Sequence, residues 1–159
     1  MTLQKYIESL PENGQVILAI KLIKLALPLW DTYSCKNDLS YRDKVVGLKY
    51  SVEKQLLQNT VTTIEKYLNS NKLKKIISKG KLQRLRGMFD DPIVALQDND
   101  WSLPYEIQNI FYSVYNLIDT FLGNDQSSMY ISINQSADAL EMSKVLTYDE
   151  IRIILMELV

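Results

Sequence analysis

Histidine is missing from this chain altogether. Its absence removes the side chain best suited to proton transfer near neutral pH, and the commonest metal ligand. Ser-His-Asp and Cys-His catalysis are excluded with it, as are histidine-bearing zinc sites and di-iron bundles built on Glu-x-x-His pairs. Cysteine is reduced to Cys35 alone, so no internal disulfide can form and a reducing compartment fits. With only Lys36 beside it, Cys35 reads as a core or edge thiol rather than a nucleophile. Five glycines and four prolines in 159 residues are too few for a turn-dense sandwich and favour long helices. Neither a G-x-x-x-x-G-K run nor a G-x-G-x-x-G pattern occurs to cradle a phosphate.

Long apolar runs are also scarce. The most apolar stretch, Val16 to Trp30, is interrupted by Lys21, Lys24 and Pro28 and is too short and too charged to cross a bilayer. The opening MTLQKYIESLPENG lacks the basic head and apolar run of a secretory signal. The expectation is a cytoplasmic protein with no membrane partner. Hydrophobic residues at 47% and charged residues at 23% match an ordinary globular chain, and the length suits one domain over 1–159.

The net charge of -1 conceals a sharp internal division. Residues 1–65 carry 8 basic and 7 acidic side chains, a net of +1. Residues 66–86 carry 8 basic and no acidic ones. In 87–159 there are 12 acids against Lys144 and Arg152, a net of -10. Such fields govern encounter and partner choice rather than fold.

Helical periodicity dominates the pattern. Thr2 to Leu10 reads as a short first helix, ended by the LPENG break. Gln15 to about Ser34 follows as a central helix, with Pro28 expected to kink or end it near Leu27. From Tyr41 to Asn69 the spacing of Val45, Leu48, Val52, Leu56, Val61, Ile64 and Leu68 predicts one long helix, with Gly47 its weak point. The basic stretch reads as two short helices, over Leu73–Ser78 and Leu82–Phe89, and DDPIVALQDNDW as a loop or short helix. Next comes the best-defined helix, with Ser102 as its cap and Pro104 in its first turn. Its core face is Ile107, Ile110, Phe111, Val114, Leu117, Ile118 and Phe121. Glu106, Asn109, Ser113, Asn116 and Thr120 are expected to form its wet face. A further helix covers about Gln126 to Lys144, and Thr147 with Glu150 makes a capping box for the last one. No run alternates with period two. The reading is an all-α, single-domain bundle of seven or eight helices.

Two surfaces suggest binding. Tyr105, Tyr112, Tyr115 and Asp119 form a third stripe on the best-defined helix. Tyrosine combines a large apolar body with a polar tip and recurs at interfaces. With Glu106, Asp138 and Glu141 this acidic surface would suit a basic protein partner. The alternative is phosphate contact by a nucleic-acid-binding accessory protein, through Lys72, Lys74, Lys75, Lys79, Lys81, Arg84 and Arg86. No aromatic or glycine pattern of a nucleic-acid module accompanies that stretch. Asp90, Asp91, Asp98 and Asp100 lack the spacing and distal Glu of a calcium loop, so no metal or cofactor is expected and the chain reads as a non-enzyme.

The segment LPENGQVILAIKLIKLALPLWDTY, with its Leu27-Pro28-Leu29-Trp30 step, resembles the start of a family of small all-helical bacterial domains. The closing YISINQSADALEMSKVLTYDEIRIILMEL is similar to the final helical pair of that family. Domains of this kind occur among immunity proteins of polymorphic toxin systems, including contact-dependent growth inhibition. The resemblance covers the first and last thirds of the chain and carries no site residues. It implies an antitoxin-like protein that neutralises a cognate toxin by binding; were that toxin a basic nuclease, an acidic helical surface could cover its groove.

Overall fold

In the computed structural model, which describes residues 2–69, 72–123 and 127–157 without the side chains of residues 3, 72–78 and 127–128, the chain is all-α apart from one small hairpin. In order come α1 (Leu3–Ser9), α2 (Glu12–Lys36), β1 (Ser40–Arg42), β2 (Lys49–Ser51), α3 (Leu56–Leu68) and α4 (Lys72–Gly87). Then follow α5 (Asp90–Gln97), α6 (Tyr105–Phe121), α7 (Ser127–Met142) and α8 (Tyr148–Glu157). Among the described residues no helix is long and apolar enough to cross a membrane.

Helix α6 touches four others: α7 most extensively, then α2, α3 and α4. Its apolar positions, from Ile107 to Ile118, are buried as the periodicity predicts. At its middle the Phe111 ring meets Trp30 of α2 at 5.8 Å, Phe89 at 5.1 Å and Trp101 at 5.5 Å between centroids. Helix α2 lies against α7 and α6 and buries ten residues, which makes it central as expected. It does not stop at Pro28. That residue and Lys24, four positions earlier, are both exposed. Water can therefore satisfy the carbonyl that proline leaves without a donor. Tyr6 Oη donates to the Leu155 carbonyl at 3.0 Å and ties α1 to α8.

The supposed wet face of α6 is half wrong. Asn109 and Ser113 are buried, and Ser113 lies against α7. Ser113 Oγ donates to the Ser132 carbonyl and Ser132 Oγ to the Ser113 carbonyl, both at 2.7 Å. Asn116 Nδ2 donates to Gln135 Oε1 at 2.8 Å nearby. Small hydroxyl side chains let two backbones approach closely while satisfying their own polarity. Periodicity alone cannot tell such a seam from a solvated face.

Tyr41–Asn69 is not one helix. Tyr41 pairs with Tyr50 across an antiparallel hairpin, and the helix begins only at Leu56. Gly47 adopts φ 75°, which glycine reaches without steric cost. Asp43 Oδ1 accepts from the Val45 and Val46 amides at 2.7 and 2.8 Å, so the turn satisfies itself locally. Trp30 Nε1 then donates to the Lys54 carbonyl at 3.0 Å and anchors the return to α3. The basic stretch forms one helix rather than two, because exposed Gly80 costs a helix interior only about 1 kcal/mol. DDPIVALQ is helical, as α5. Ser102 does not cap α6, whose start at Pro104 has no side-chain cap bond. The capping box of α8 forms as predicted, with the Thr147 amide donating to Glu150 Oε2 at 2.8 Å and the Glu150 amide to Thr147 Oγ1 at 3.2 Å.

Phe111→Ala is expected to cost about 3–5 kcal/mol, since three neighbouring rings cannot close the void. Urea denaturation of the purified chain measures it, and a loss below about 1 kcal/mol would remove Phe111 from its central place.

Candidate functional site

The tyrosine stripe of α6 divides in two. Tyr105, at the start of the helix, is 61% exposed, and Glu106 beside it is half-buried. Tyr112 is half-buried, and burial pushes its phenol above the ordinary tyrosine pKa against a hydrogen bond with Gln108. Tyr115 and Asp119 are half-buried too, but they are held by the basic stretch. Arg86 Nε donates to Asp119 Oδ1 at 3.2 Å, Nη1 to Asp90 Oδ1 at 3.0 Å and Nη2 to Tyr115 Oη at 3.4 Å. Its guanidinium carbon also stands 5.7 Å from the Tyr115 ring centroid. Burial alone would lower the Arg86 pKa, yet Tyr115, Asp90 and Asp119 together raise it above the usual arginine value. One cation thus joins α4, α5 and α6.

The rest of the basic stretch is not spent this way. Lys79, Lys81 and Arg84 are exposed on α4 with no ion pair among the described residues. The side chains of Lys72, Lys74 and Lys75 lie outside the described residues. On α7, Asp138 and Glu141 are exposed and pair with no cation among the described residues. Partial desolvation of its carboxyl against the helix surface first, and the Glu141 charge second, push Asp138 above the ordinary aspartate value. Tyr105, Glu106, Asp138 and Glu141 share no direct hydrogen bond. Cys35 is exposed on the last turn of α2. No group of three acidic or cysteine side chains among the described residues is close enough to hold a metal ion.

A second surface, outside the residues the sequence singled out, lies where the hairpin meets α5. At its tip Val45 is 94% exposed, Val46 63% and Leu48 54%, and on α5 Val94 is 52% exposed. The tip is fixed in place. Lys44 Nζ pairs with Asp100 Oδ1 at 3.4 Å and donates to the Asn99 carbonyl at 3.2 Å, latching the turn onto the end of α5. Beneath it, Tyr50 stacks on Tyr41 and Tyr41 on Trp101, both at 5.7 Å. Two clefts flank the Tyr41–Tyr50 pair, one of about 550 Å³ reaching Glu53, Met88 and Asp91, the other of about 120 Å³ reaching Asp43, Asp98 and Asp100. Among the described residues no lysine or arginine lines either cleft. Asp91 and Asp98 are exposed and make no ion pair there. Burial raises the Tyr41 phenol pKa, and the charge of Asp91 raises it further.

The signal for this surface was present in Asp43-Lys44-Val45-Val46-Gly47, two β-branched residues before a glycine in a polar setting. It is a turn signature that the helical spacing masked. A third groove, about 710 Å³ between α2 and α3, is lined by Ile17, Ile20, Leu25 and Leu68 and bridged by the Lys24–Glu65 pair at 3.0 Å. Asn13 and Asn69 also line it. No protein-family model, curated protein or solved structure matches this chain.

Arg86→Met, which keeps the stem and removes the charge, should destabilise the chain by about 1–2 kcal/mol, between the values for surface and buried pairs. Asp119→Asn should cost less in the Arg86→Met background than in the unaltered chain in a double-mutant cycle, and strict additivity would disprove the coupling. Asp138→Asn acts oppositely. A raised folded-state pKa means the ionised carboxylate costs stability above that pKa and nothing below the unfolded value. The variant should therefore melt higher at neutral pH, with the gain closing as pH falls through the carboxylate range in thermal scans.

Proposed function

We propose that this chain is an immunity-type protein, acting in the cytoplasm, that neutralises a cognate toxin by binding it rather than by chemistry. The observation that carries the reading is the state of the acidic half. Asp91, Asp98, Asp138 and Glu141 are exposed with no cation committed to them among the described residues. Meanwhile Arg86, the half-buried cation of the basic stretch, is already engaged within the chain. The exposed carboxylates of α5 and α7 thus present an outward-facing negative field, as steering toward a basic protein requires, while Lys79, Lys81 and Arg84 keep a separate positive one on α4. The resemblance of the first and last thirds to helical immunity domains supports the same class of partner. Lack of histidine fits a role in which occupancy does the work.

A nucleic-acid-binding role would rest on Lys79, Lys81 and Arg84, which are exposed on α4. It predicts retention on heparin and a steep loss of affinity with salt.

Immunity genes lie beside the genes of their toxins, so the product of the adjacent toxin gene is the natural probe. Co-expression should yield a complex whose association rate falls at least about tenfold between low and high ionic strength. If the two proteins stay apart even at low salt, the reading fails, and heparin retention in that case would favour the nucleic-acid role.

A further inference from the structure

The hairpin tip is an anomaly for a free-standing helical domain. Singly exposed apolar residues are ordinary, but Val45, Val46, Leu48 and Val94 are all more than half exposed on one latched element and the helix it touches. The turn is tied at several points. Asp43 holds two of its amides, Lys44 ties it to Asp100 and Asn99, and Tyr50 stacks on the buried Tyr41. Rigid exposed apolar groups lose little entropy on docking, which is what a binding anchor requires.

Charge selects the occupant. The clefts flanking the tyrosine pair are walled by Asp43, Glu53, Asp91, Asp98 and Asp100, with no cation among the described residues lining either. Asp43 and Asp100 are engaged in holding the turn, which leaves Asp91 and Asp98 for a partner. A tyrosine face beside carboxylates attracts a lysine ammonium or an arginine guanidinium twice over, through the ring quadrupole and through charge. The larger cleft, at about 550 Å³, is ample for one such side chain. A second copy of this chain is disfavoured, because a two-fold contact would face this acidic patch with an identical one.

Resting on the binding reading above, we propose that the docking surface for a basic protein partner is the hairpin–α5 face. Val45, Val46 and Leu48 enter an apolar recess of that partner, and a lysine or arginine beside the recess enters the cleft between Tyr50 and Asp91. The α6 stripe, with Tyr115 and Asp119 engaged by Arg86, is left outside the contact.

Two exposed double variants of the full chain test this, Val45→Ser/Val46→Ser and Asp91→Asn/Asp98→Asn, with Glu8→Gln/Glu12→Gln, exposed on α1 and at the start of α2, as the control face. Far-UV circular dichroism should be unchanged for all three. The first probe is a short peptide of alternating leucine and arginine, titrated at low salt into the isotope-labelled chain. Amide shifts should concentrate in 43–50 and 91–101 and weaken at least about tenfold in both hairpin–α5 variants. Shifts confined to α6 and α7, no shifts at all, or shifts indifferent to these substitutions would overturn the proposal. So would concentration-dependent dimerisation abolished by the serine variant, which would make the occupant a second copy. The second probe is the product of the adjacent toxin gene. If it binds but tolerates both hairpin–α5 variants, the surface is wrong and the function stands. If the peptide maps to this face and the toxin does not bind, the surface stands and the function fails.

Discussion

The rest of the molecule depends on the close packing of three rings around Phe111. Trp30 arrives from the long central helix, Phe89 from the junction of α4 and α5, and Trp101 from the segment leading into α6. These come from distant parts of the chain, so the contact fixes how α2, α5 and α6 are disposed before any surface feature is set. The stack continues outward from Trp101 to Tyr41 and then to Tyr50, and in another direction from Phe89 to Tyr115 at 5.9 Å. Both candidate surfaces are thus the outer ends of one aromatic core. Their geometry is inherited from packing, where displacement is costly, rather than from loops, where it is cheap.

Charge is arranged on that frame in two different ways. Where the basic stretch meets the acidic half, a single arginine closes the gap between three helices and its ligands lose their availability. Elsewhere in the acidic half Asp91, Asp98, Asp138 and Glu141 make no ion pair among the described residues, and their field is not cancelled. A chain with a net charge of -1 can in this way carry a strongly one-sided surface. The binding role proposed for it needs no catalytic group.

Much of this fold was legible from spacing alone. The core face of α6, the central place of α2 and the Thr147–Glu150 box followed from period and cap chemistry, because burial and capping are local consequences of side-chain type. The failures share a cause. Val45 and Leu48 sit at helical spacing from Val52 and Leu56, yet a glycine with positive φ and an aspartate that caps its own turn override the pattern. Asn109 and Ser113 look like solvent-facing residues, yet one-dimensional periodicity does not register a neighbouring backbone close enough to trade hydroxyl bonds. The candidate site suffered most. Tyr115 and Asp119 were found by their stripe, but their capture by Arg86 spans about thirty residues of sequence. The hairpin–α5 face was missed because it is made by tertiary contact between segments that each look unremarkable.

The aromatic stack has an optical consequence. The chain holds only two tryptophans, both buried and both in contact with Phe111. Of these, Trp101 alone is linked by stacking to Tyr41 and, through it, to the partly exposed Tyr50. The indole is shielded from solvent but mechanically one ring removed from the surface. The unlabelled protein thereby carries its own emission reporter at the hairpin, with Trp30 as an internal reference deeper in the bundle.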